Sequence, residues 1–501
     1  MNKVDHFLDR FFRPSSVAII GATNNFFKMN FRLMQNLVNL NFQGKIYPVN
    51  HREEKILGIR AFARLRDIQD RIDLVVIAVP ASKALDIVKE CDKIGVNQVV
   101  IVTGGFSEGG EHGRKLHREI ASFVKERGIR IIGPNTLSPI NTSNNLAISY
   151  NPIRSLKKGG LSFVFQSGFY EPKMNWIFSH LGINKMLDLG NKMDVNEVDA
   201  LDYFLQDPDT KVIAMHIESL HGDGRDFFDL LKKGSIRKPI IILKSGRTPA
   251  GSLAAASHTG AIASENDVIF DSIIRQTAAI RANNMEEFFD LAKAFEFLKL
   301  PKGNRLAIIT LSGGEGVMAT DACEMNGLKM ARLDDNTYQR LKGIFPPWEI
   351  PLNPIDAGAC LEFHLADILT IFNTLAAIPE DENVDCTVMQ MPPDFLGLTS
   401  TNENFSSEMI GSLKKNYTQA LLKIKRAGKP FAMWCTSMDR EEDEWIKIYE
   451  SHYLPVFQSS ERAIKAMSAL YRYRSLCMRE SPDVFSEEKI DRNLMKERGI
   501  D

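Results

Sequence analysis

Short apolar, β-branched runs alternate along this chain with longer stretches whose apolar residues recur at helical spacing. The first runs are SVAIIGA at 16–22, IYPV at 46–49, LVVIAVP at 74–80, QVVIVTGGF at 98–106 and IRIIGPN at 129–135, each broken near its end by Gly, Pro or Asn. Between them lie stretches such as FRLMQNLVNL and SKALDIVKECDKIG, which read as amphipathic helices. Repeated βα units predict a doubly wound parallel sheet, with its ligand crevice at the C-terminal ends of the strands. After the turn-rich NPIRSLKKGG a second series follows, with strands expected at 161–168, 184–191, 211–219, 238–246 and a short one at 277–282, closed by the helix MEEFFDLAKAFEFL. A third series begins at RLAIITLSGGEG, 305–316, and continues at 386–392 and 429–436. Its KPFAMWCT repeats the Lys-Pro entry of KPIIILKSG, as if the second and third series shared an architecture. The expected divisions are 1–150, 151–300 and 301–475, with 476–501 a charged helical tail or linker.

Composition narrows the class. The 501 residues are 44% hydrophobic and 25% charged, as in a globular protein of about three domains. Charge nearly cancels, 62 basic against 63 acidic residues, so neither nucleic acid nor a membrane surface is the expected partner. The six cysteines are scattered without a C-x-x-C pair, which fits reduced thiols and a cytoplasmic location, and no metal site is expected. The N-terminus has no apolar core, so secretion is not expected.

Four strand ends of the first series carry residues suited to close backbone approach. The segment GATNNFFKMN opens the first helix at Gly21, Ala22 and Thr23, where a parallel sheet places a phosphate. It lacks the second and third glycines of a dinucleotide fingerprint, and no acidic residue ends the second strand at Val49, Asn50 and His51. A nucleotide-like ligand other than NAD is therefore expected. Val79-Pro80, Thr103-Gly104 and Pro134-Asn135 converge on the same edge, and Lys28 and Lys45 could neutralise phosphates. Taken singly, each is ordinary turn chemistry or a solvated lysine.

The segment KSGRTPAGSLAAASHTGAIASENDVI, 244–269, reads as a small-residue loop that carries His258 beyond a strand. A histidine there can act as base, ligand or nucleophile. The loop offers no companion metal ligands, whereas Glu218, at the end of KVIAMHIES, is a carboxylate on a neighbouring strand end. His216 lies inside an apolar strand and reads as a core residue. Gln166-Ser167-Gly168 and Ser312-Gly313-Gly314 each end a strand and open a helix, and such helix N-termini favour a phosphate or phosphohistidine.

These pieces resemble the NDP-forming acyl-CoA synthetases, which include ADP-forming acetate–CoA ligase and, more distantly, succinyl-CoA synthetase. The resemblance rests on SSVAIIGAT, GKIYPVN, DLVVIAVP, GIRIIGPNTL, LGNKMDVNEVD, KSGRTPAGSLAAASHTGAIA and LNPID, and covers almost the whole chain. It implies a Rossmann-like CoA-binding domain followed by two flavodoxin-like domains. It also implies a phosphorylated histidine at His258 stabilised by Glu218, and helices facing phosphate near Gly168 and Gly313-Gly314. CoA would lie on the loops at Gly21, Val49, Val79-Pro80, Thr103-Gly104 and Pro134-Asn135. The implied reaction interconverts acyl-CoA, ADP and phosphate with carboxylate, CoA and ATP. The family's ATP-grasp module, which binds ADP or ATP with Mg, is not found in the chain and is expected on a partner subunit or domain, in a homo- or hetero-oligomer. Departures fall at Phe27 and Asn30 of the first loop, and at Phe169, Tyr170, Glu171 and Pro172 after Gly168. They leave open a regulatory protein that binds CoA esters without catalysis, or an enzyme that couples acyl-CoA formation to another step.

Overall fold

The computed structural model describes residues 4–259, 267–364, 368–391, 407–436 and 440–480. They fall into two compact units, Met1–Phe288 and Phe289–Asp501, with the boundary inside the helix Met285–Phe297.

The first sheet of the first unit holds β1 (Ser16–Ile20), β2 (Lys45–Val49), β3 (Leu74–Ile77), β4 (Gln98–Ile101) and β5 (Arg130–Ile132), all parallel in the order β2-β1-β3-β4-β5. Every residue of β1 is buried, which explains its unbroken apolar run. Alternation decides the faces: Val17 and Ile19 enter one core with Leu33, Met34 and Leu37, whereas Ala18 and Ile20 enter another with Ala84, Val88 and Cys91. Outside β2, Phe62 forms a single parallel bridge with Val49, standing where a Rossmann sheet has its third strand.

The second sheet contains a hairpin, β6 (Ile140–Asn141) and β7 (Leu146–Ala147), then β8 (Lys158–Phe165), β9 (Ile183–Asp188), β10 (Val212–Ile217), β11 (Ile240–Lys244) and β12 (Ile280–Ala282). The order is β12-β11-β10-β8-β9-β6-β7, a flavodoxin-like parallel sheet extended by the antiparallel hairpin. Residues 140–147, within the expected first division, thus pair with the second sheet. One core joins the two sheets, with Val17, Ile19 and Val76 of the first beside Val164, Leu187 and Ile213 of the second.

The second unit holds β13 (Arg305–Thr310), β14 (Lys329–Met330), β15 (Ile355–Asp356), β16 (Cys386–Gln390), β17 (Phe431–Trp434) and β18 (Val456–Phe457). Their order, β14-β13-β16-β17-β18 with β15 also on β13, is again flavodoxin-like. The helix Ser460–Glu480 closes this unit, and the tail expected at 476–501 lies outside the described residues beyond Glu480. Among the described residues no helix is long and apolar enough to cross a membrane.

Candidate functional site

In the first sheet the chain leaves β1 and β3 toward opposite faces, since helix Phe31–Asn39 packs in one core and helix Ala84–Lys93 in the other. That divergence opens the crevice beyond the strand ends. Gly21 lies there at φ +88°, its N–H donating to Val49 O at 3.0 Å, and a Cβ on it would stand 2.6 Å from Ala78 O. Only glycine allows this approach. Ala22 O accepts from Asn50 Nδ2 at 2.8 Å, and Thr23 Oγ1 donates to Glu53 Oε1 at 2.9 Å. Glu53 also receives the Asn24 backbone N–H at 3.1 Å and its side-chain amide at 2.6 Å. Sequence reading missed this acid because it sought one at the end of β2. The Asn50 turn, with Arg52 N donating to Asn50 Oδ1 at 2.8 Å, carries the acidic residue a few positions past the strand.

Two further loops pack beside these residues. Thr103 Oγ1 donates to Val79 O at 3.0 Å, just before Pro80, and Asn135 N donates to Thr103 O at 3.1 Å. A Cβ on Gly104 would meet Glu108 Oε1 at 2.9 Å, and Pro134 O accepts from Asn191 N at 2.8 Å. Gly21, Ala22, Thr23, Val49, Val79, Pro80, Thr103, Gly104, Pro134 and Asn135 therefore share one edge of the sheet, and Lys28 is exposed on the loop after β1. Phe27 of that loop is 93% exposed. Lys45 is a correction: it is the first residue of β2, paired in register with Ser16, and so stands at the opposite edge. Four residue steps of about 3.3 Å each separate it from Val49, and its ammonium pairs with Asp70 at 3.0 Å.

At the C-terminal edge of the second sheet, Glu218 and Ser219 follow β10. Gln166 Oε1 accepts their backbone N–H groups at 2.7 and 3.0 Å, while its Nε2 donates to Ser219 Oγ at 3.0 Å. The phosphate expectation for Gln166-Ser167-Gly168 rests on backbone N–H groups of a helix start; the Gln166 side chain itself engages the end of β10. Lys244 Nζ donates to Glu218 O at 2.7 Å, and the buried Lys192 Nζ donates to Ser219 O at 2.6 Å and pairs with Glu197 at 3.0 Å. Ser167 precedes a short 3-10 turn, Gly168–Lys173, that contains Pro172 and leads into helix Met174–His180. A Cβ on Gly168 would meet nothing within 4 Å, so space lies open beside it.

Behind this edge Asp188 ends β9, its carboxylate accepting from Leu137 N at 3.0 Å and Gly190 N at 3.1 Å. Burial pushes its pKa up to about 7 against the pull of those two N–H groups. Burial likewise raises Glu171, held by Ser149 Oγ at 2.8 Å and Asn151 Nδ2 at 3.0 Å. His216, expected in the core, is buried with Nε2 2.8 Å from Ser245 Oγ.

The segment after β11, expected as a loop, is a helix over Pro249–Thr259 that includes His258 in its last turn. Pro249 suits the first helical position, and the alanines that suggested a loop are the strongest helix formers. The His258 side chain lies outside the described residues, as does the backbone of 260–266.

In the second unit Ser312 Oγ accepts from Glu315 N at 3.4 Å and caps the helix Gly313–Met325. Gln390 Oε1 accepts Leu311 N at 2.8 Å, and Gly313 and Gly314 are exposed at the helix start. Free N–H groups of such a first turn favour an anion.

Comparison with known proteins gives this architecture its class. Residues 15–141 match the model of a CoA binding domain, and 158–295 that of a succinyl-CoA ligase like flavodoxin domain. The alpha subunit of acetate–CoA ligase [ADP-forming] I from Pyrococcus furiosus is 34% identical over 484 residues, 93% of this chain and 97% of that one. The corresponding subunit of its ligase II is 36% identical over 397 residues, covering 79% and 84%. The acetate–CoA ligase [ADP-forming] II of Archaeoglobus fulgidus is 39% identical over 381 residues, and the chain spans 56% of its length. Among solved structures, acetyl-coenzyme A synthetase 1 of Ca. Korarchaeum cryptofilum, in complex with phosphate and ADP, superposes with a TM-score of 0.79 at 31% identity, covering 94% and 98%. The chain belongs to the ADP-forming acyl-CoA synthetases, a family of acid–thiol ligases, and aligns with their alpha subunits.

Proposed function

We propose that this chain is the CoA-binding, phosphohistidine-carrying part of an ADP-forming acyl-CoA synthetase, with the nucleotide bound by an ATP-grasp partner subunit or domain. The observation that carries the reading is the Glu218 seat. A carboxylate follows β10 with its backbone held by Gln166 and Lys244, one strand over from the helix that carries His258. CoA fits the first-sheet edge, where Gly21 lets β1 and β3 close on each other and Gly104 leaves a backbone surface that a Cβ would fill. The exposed N–H groups at Gly313-Gly314 and the open space beside Gly168 suit phosphate.

In the reaction a phosphate oxygen attacks the acyl carbonyl of acyl-CoA, and the CoA thiolate leaves and takes up a proton. An imidazole nitrogen of His258 then attacks the phosphorus of the acyl phosphate and releases the carboxylate. Glu218 stabilises the positive charge of the ring. The phosphoryl group passes on to ADP, which the partner supplies with Mg; the reverse direction makes acyl-CoA from ATP. Acetate is the acid named for several relatives, and acetyl-CoA is the first substrate to try. Incubation of the chain with acetyl-CoA and labelled phosphate is expected to leave acid-labile label on the protein. Absence of label, or label undiminished in His258→Ala, would overturn the proposal.

A CoA-ester-binding protein without catalysis is the second reading, motivated by the exposed Phe27 and by Phe169 and Tyr170 after Gly168. It predicts CoA-ester binding by calorimetry and no phosphorylation with any nucleotide partner.

A further inference from the structure

The end of β10 is held more completely than a strand end needs to be. Gln166 reaches it from β8: its oxygen faces two backbone N–H donors, of Glu218 and Ser219, and its amide nitrogen faces Ser219 Oγ, which fixes the orientation of the amide. Lys192 reaches it from the other side, donating to Ser219 O at 2.6 Å, Ser219 Oγ at 3.4 Å and Glu197 at 3.0 Å, so that three ammonium protons have acceptors. Lys244 closes the carbonyl side at 2.7 Å from Glu218 O. The two peptide groups flanking Glu218 are thereby pinned by Gln166 and Lys244, and the next carbonyl, of Ser219, by Lys192.

Lys192 also belongs to a turn that rests on the first sheet. Asn191 N donates to Pro134 O at 2.8 Å and Met193 N to Gly133 O at 2.9 Å, so the turn lies along the loop after β5. The side chain of Asn191 donates to Glu108, whose other oxygen accepts Gly105 N at 2.6 Å. Lys192 itself has φ +50°, a left-handed conformation uncommon for a lysine, and its ammonium is buried. One turn therefore touches both the loops at the first-sheet crevice and the seat of Glu218.

We propose that Gln166 and Lys192 are positioning residues for Glu218: they fix the backbone from which its carboxylate meets the phosphorylated imidazole, and Lys192 ties that seat to the CoA-side loop Gly133–Asn135. This rests on the phosphohistidine reading above. It separates two roles for Gln166, because a phosphate ligand acts on substrate binding, whereas a group that holds a catalytic carboxylate acts on turnover.

The experiment measures acid-labile labelling of the full chain with acetyl-CoA and labelled inorganic phosphate, varying both concentrations. Gln166→Leu and Lys192→Met are expected to slow the limiting labelling rate by about 10- to 100-fold, the scale of a misplaced catalytic group, with half-saturation for phosphate and acetyl-CoA within about twofold of wild type. Gln166→Glu keeps an oxygen for both N–H groups and is expected to recover most of the rate. Ser219→Ala removes the hydroxyl shared by Gln166 and Lys192 and leaves the backbone bonds, giving a folded variant with a smaller loss should the other two fail to fold. A wild-type rate in Gln166→Leu, or a loss confined to phosphate half-saturation, would overturn the proposal while leaving the phosphohistidine reading intact. No label on the wild-type chain would overturn that reading and this inference with it.

Discussion

In the second sheet β8 runs into Gln166-Ser167-Gly168, and in the third β13 runs into Ser312-Gly313-Gly314; each strand sits next to the switch point of the same strand order. In each a glutamine pins a neighbouring strand end, Gln166 at Glu218 and Gln390 at Leu311. Both sheets bury an ion pair at the entry edge, Lys185 with Asp207 at 2.6 Å in the second; the difference, among the described residues, is the charge buried at the opposite edge. In the second sheet Asp188, Lys192, Glu197 and Lys244 are all buried at or beyond the C-terminal strand ends. In the third, Lys293 pairs with Glu450 at 2.6 Å and donates to Val456 O at the entry of β18, while Arg305, first in β13, pairs with Asp385 just before β16. Those pairs tie the entry edge, away from the side where parallel sheets bind ligands. Burying a charge costs several kcal/mol unless it is compensated, so the charges at the C-terminal strand ends of the second sheet mark the feature that the proposed chemistry would use.

The largest test removes the Glu218 carboxylate at the end of β10. Glu218→Gln is expected to lower phosphohistidine formation about a thousandfold, within the range for loss of an acid–base or charge-stabilising partner, as read by acid-labile label. Next comes the entry edge of the third sheet. Glu450→Ala leaves Lys293 buried without its carboxylate and is expected to cost about 3–5 kcal/mol in the unfolding of the second unit by urea. Below the new melting temperature the labelling rate should be unchanged; a parallel loss of rate would erase the contrast.

Asp188 tests the same contrast through pH. Because burial raises its pKa from 3.8 to about 7, the folded chain holds the proton more tightly than the unfolded chain. Its contribution to stability therefore falls as pH rises from about 4 through 7. The rise in pKa corresponds to on the order of 4 kcal/mol at full ionisation. Asp188→Asn is expected to gain stability relative to wild type between pH 5 and pH 8 in urea titrations, and a pH-independent difference would contradict this. The smallest effect is at the third-sheet helix, where Ser312→Ala removes a long cap and is expected to cost about 0.5–1 kcal/mol.

The βα order and the longer strands of all three main sheets were legible because buried parallel strands such as Ser16–Ile20 are nearly uninterrupted apolar runs; the two-residue strands 329–330, 355–356 and 456–457 of the third sheet are too short to show as runs. What lay between sheets was not legible either: the hairpin at 140–147, which pairs with the second sheet, is too short to show a period. Lys45 was misread because a run of residues does not say which end of its strand faces the crevice. Glu53 was missed because a turn moved it beyond the strand, and the His258 segment was read as a loop because Ala, Ser and Gly serve equally as small-residue lining and helix. Gln166 shows the subtler limit. Its place at the crevice was legible, but its partner at residues 218–219 is more than 50 positions away and belongs to tertiary structure.

The central claim is that the second sheet carries the phosphoryl group at His258 beside Glu218. Fragmentation mass spectrometry under neutral conditions, on the chain after reaction with acetyl-CoA and phosphate, tests it most directly. The account predicts one phosphorylated residue, His258, and no modified peptide in His258→Ala; phosphate on any other residue, or none on the wild-type chain, would contradict it.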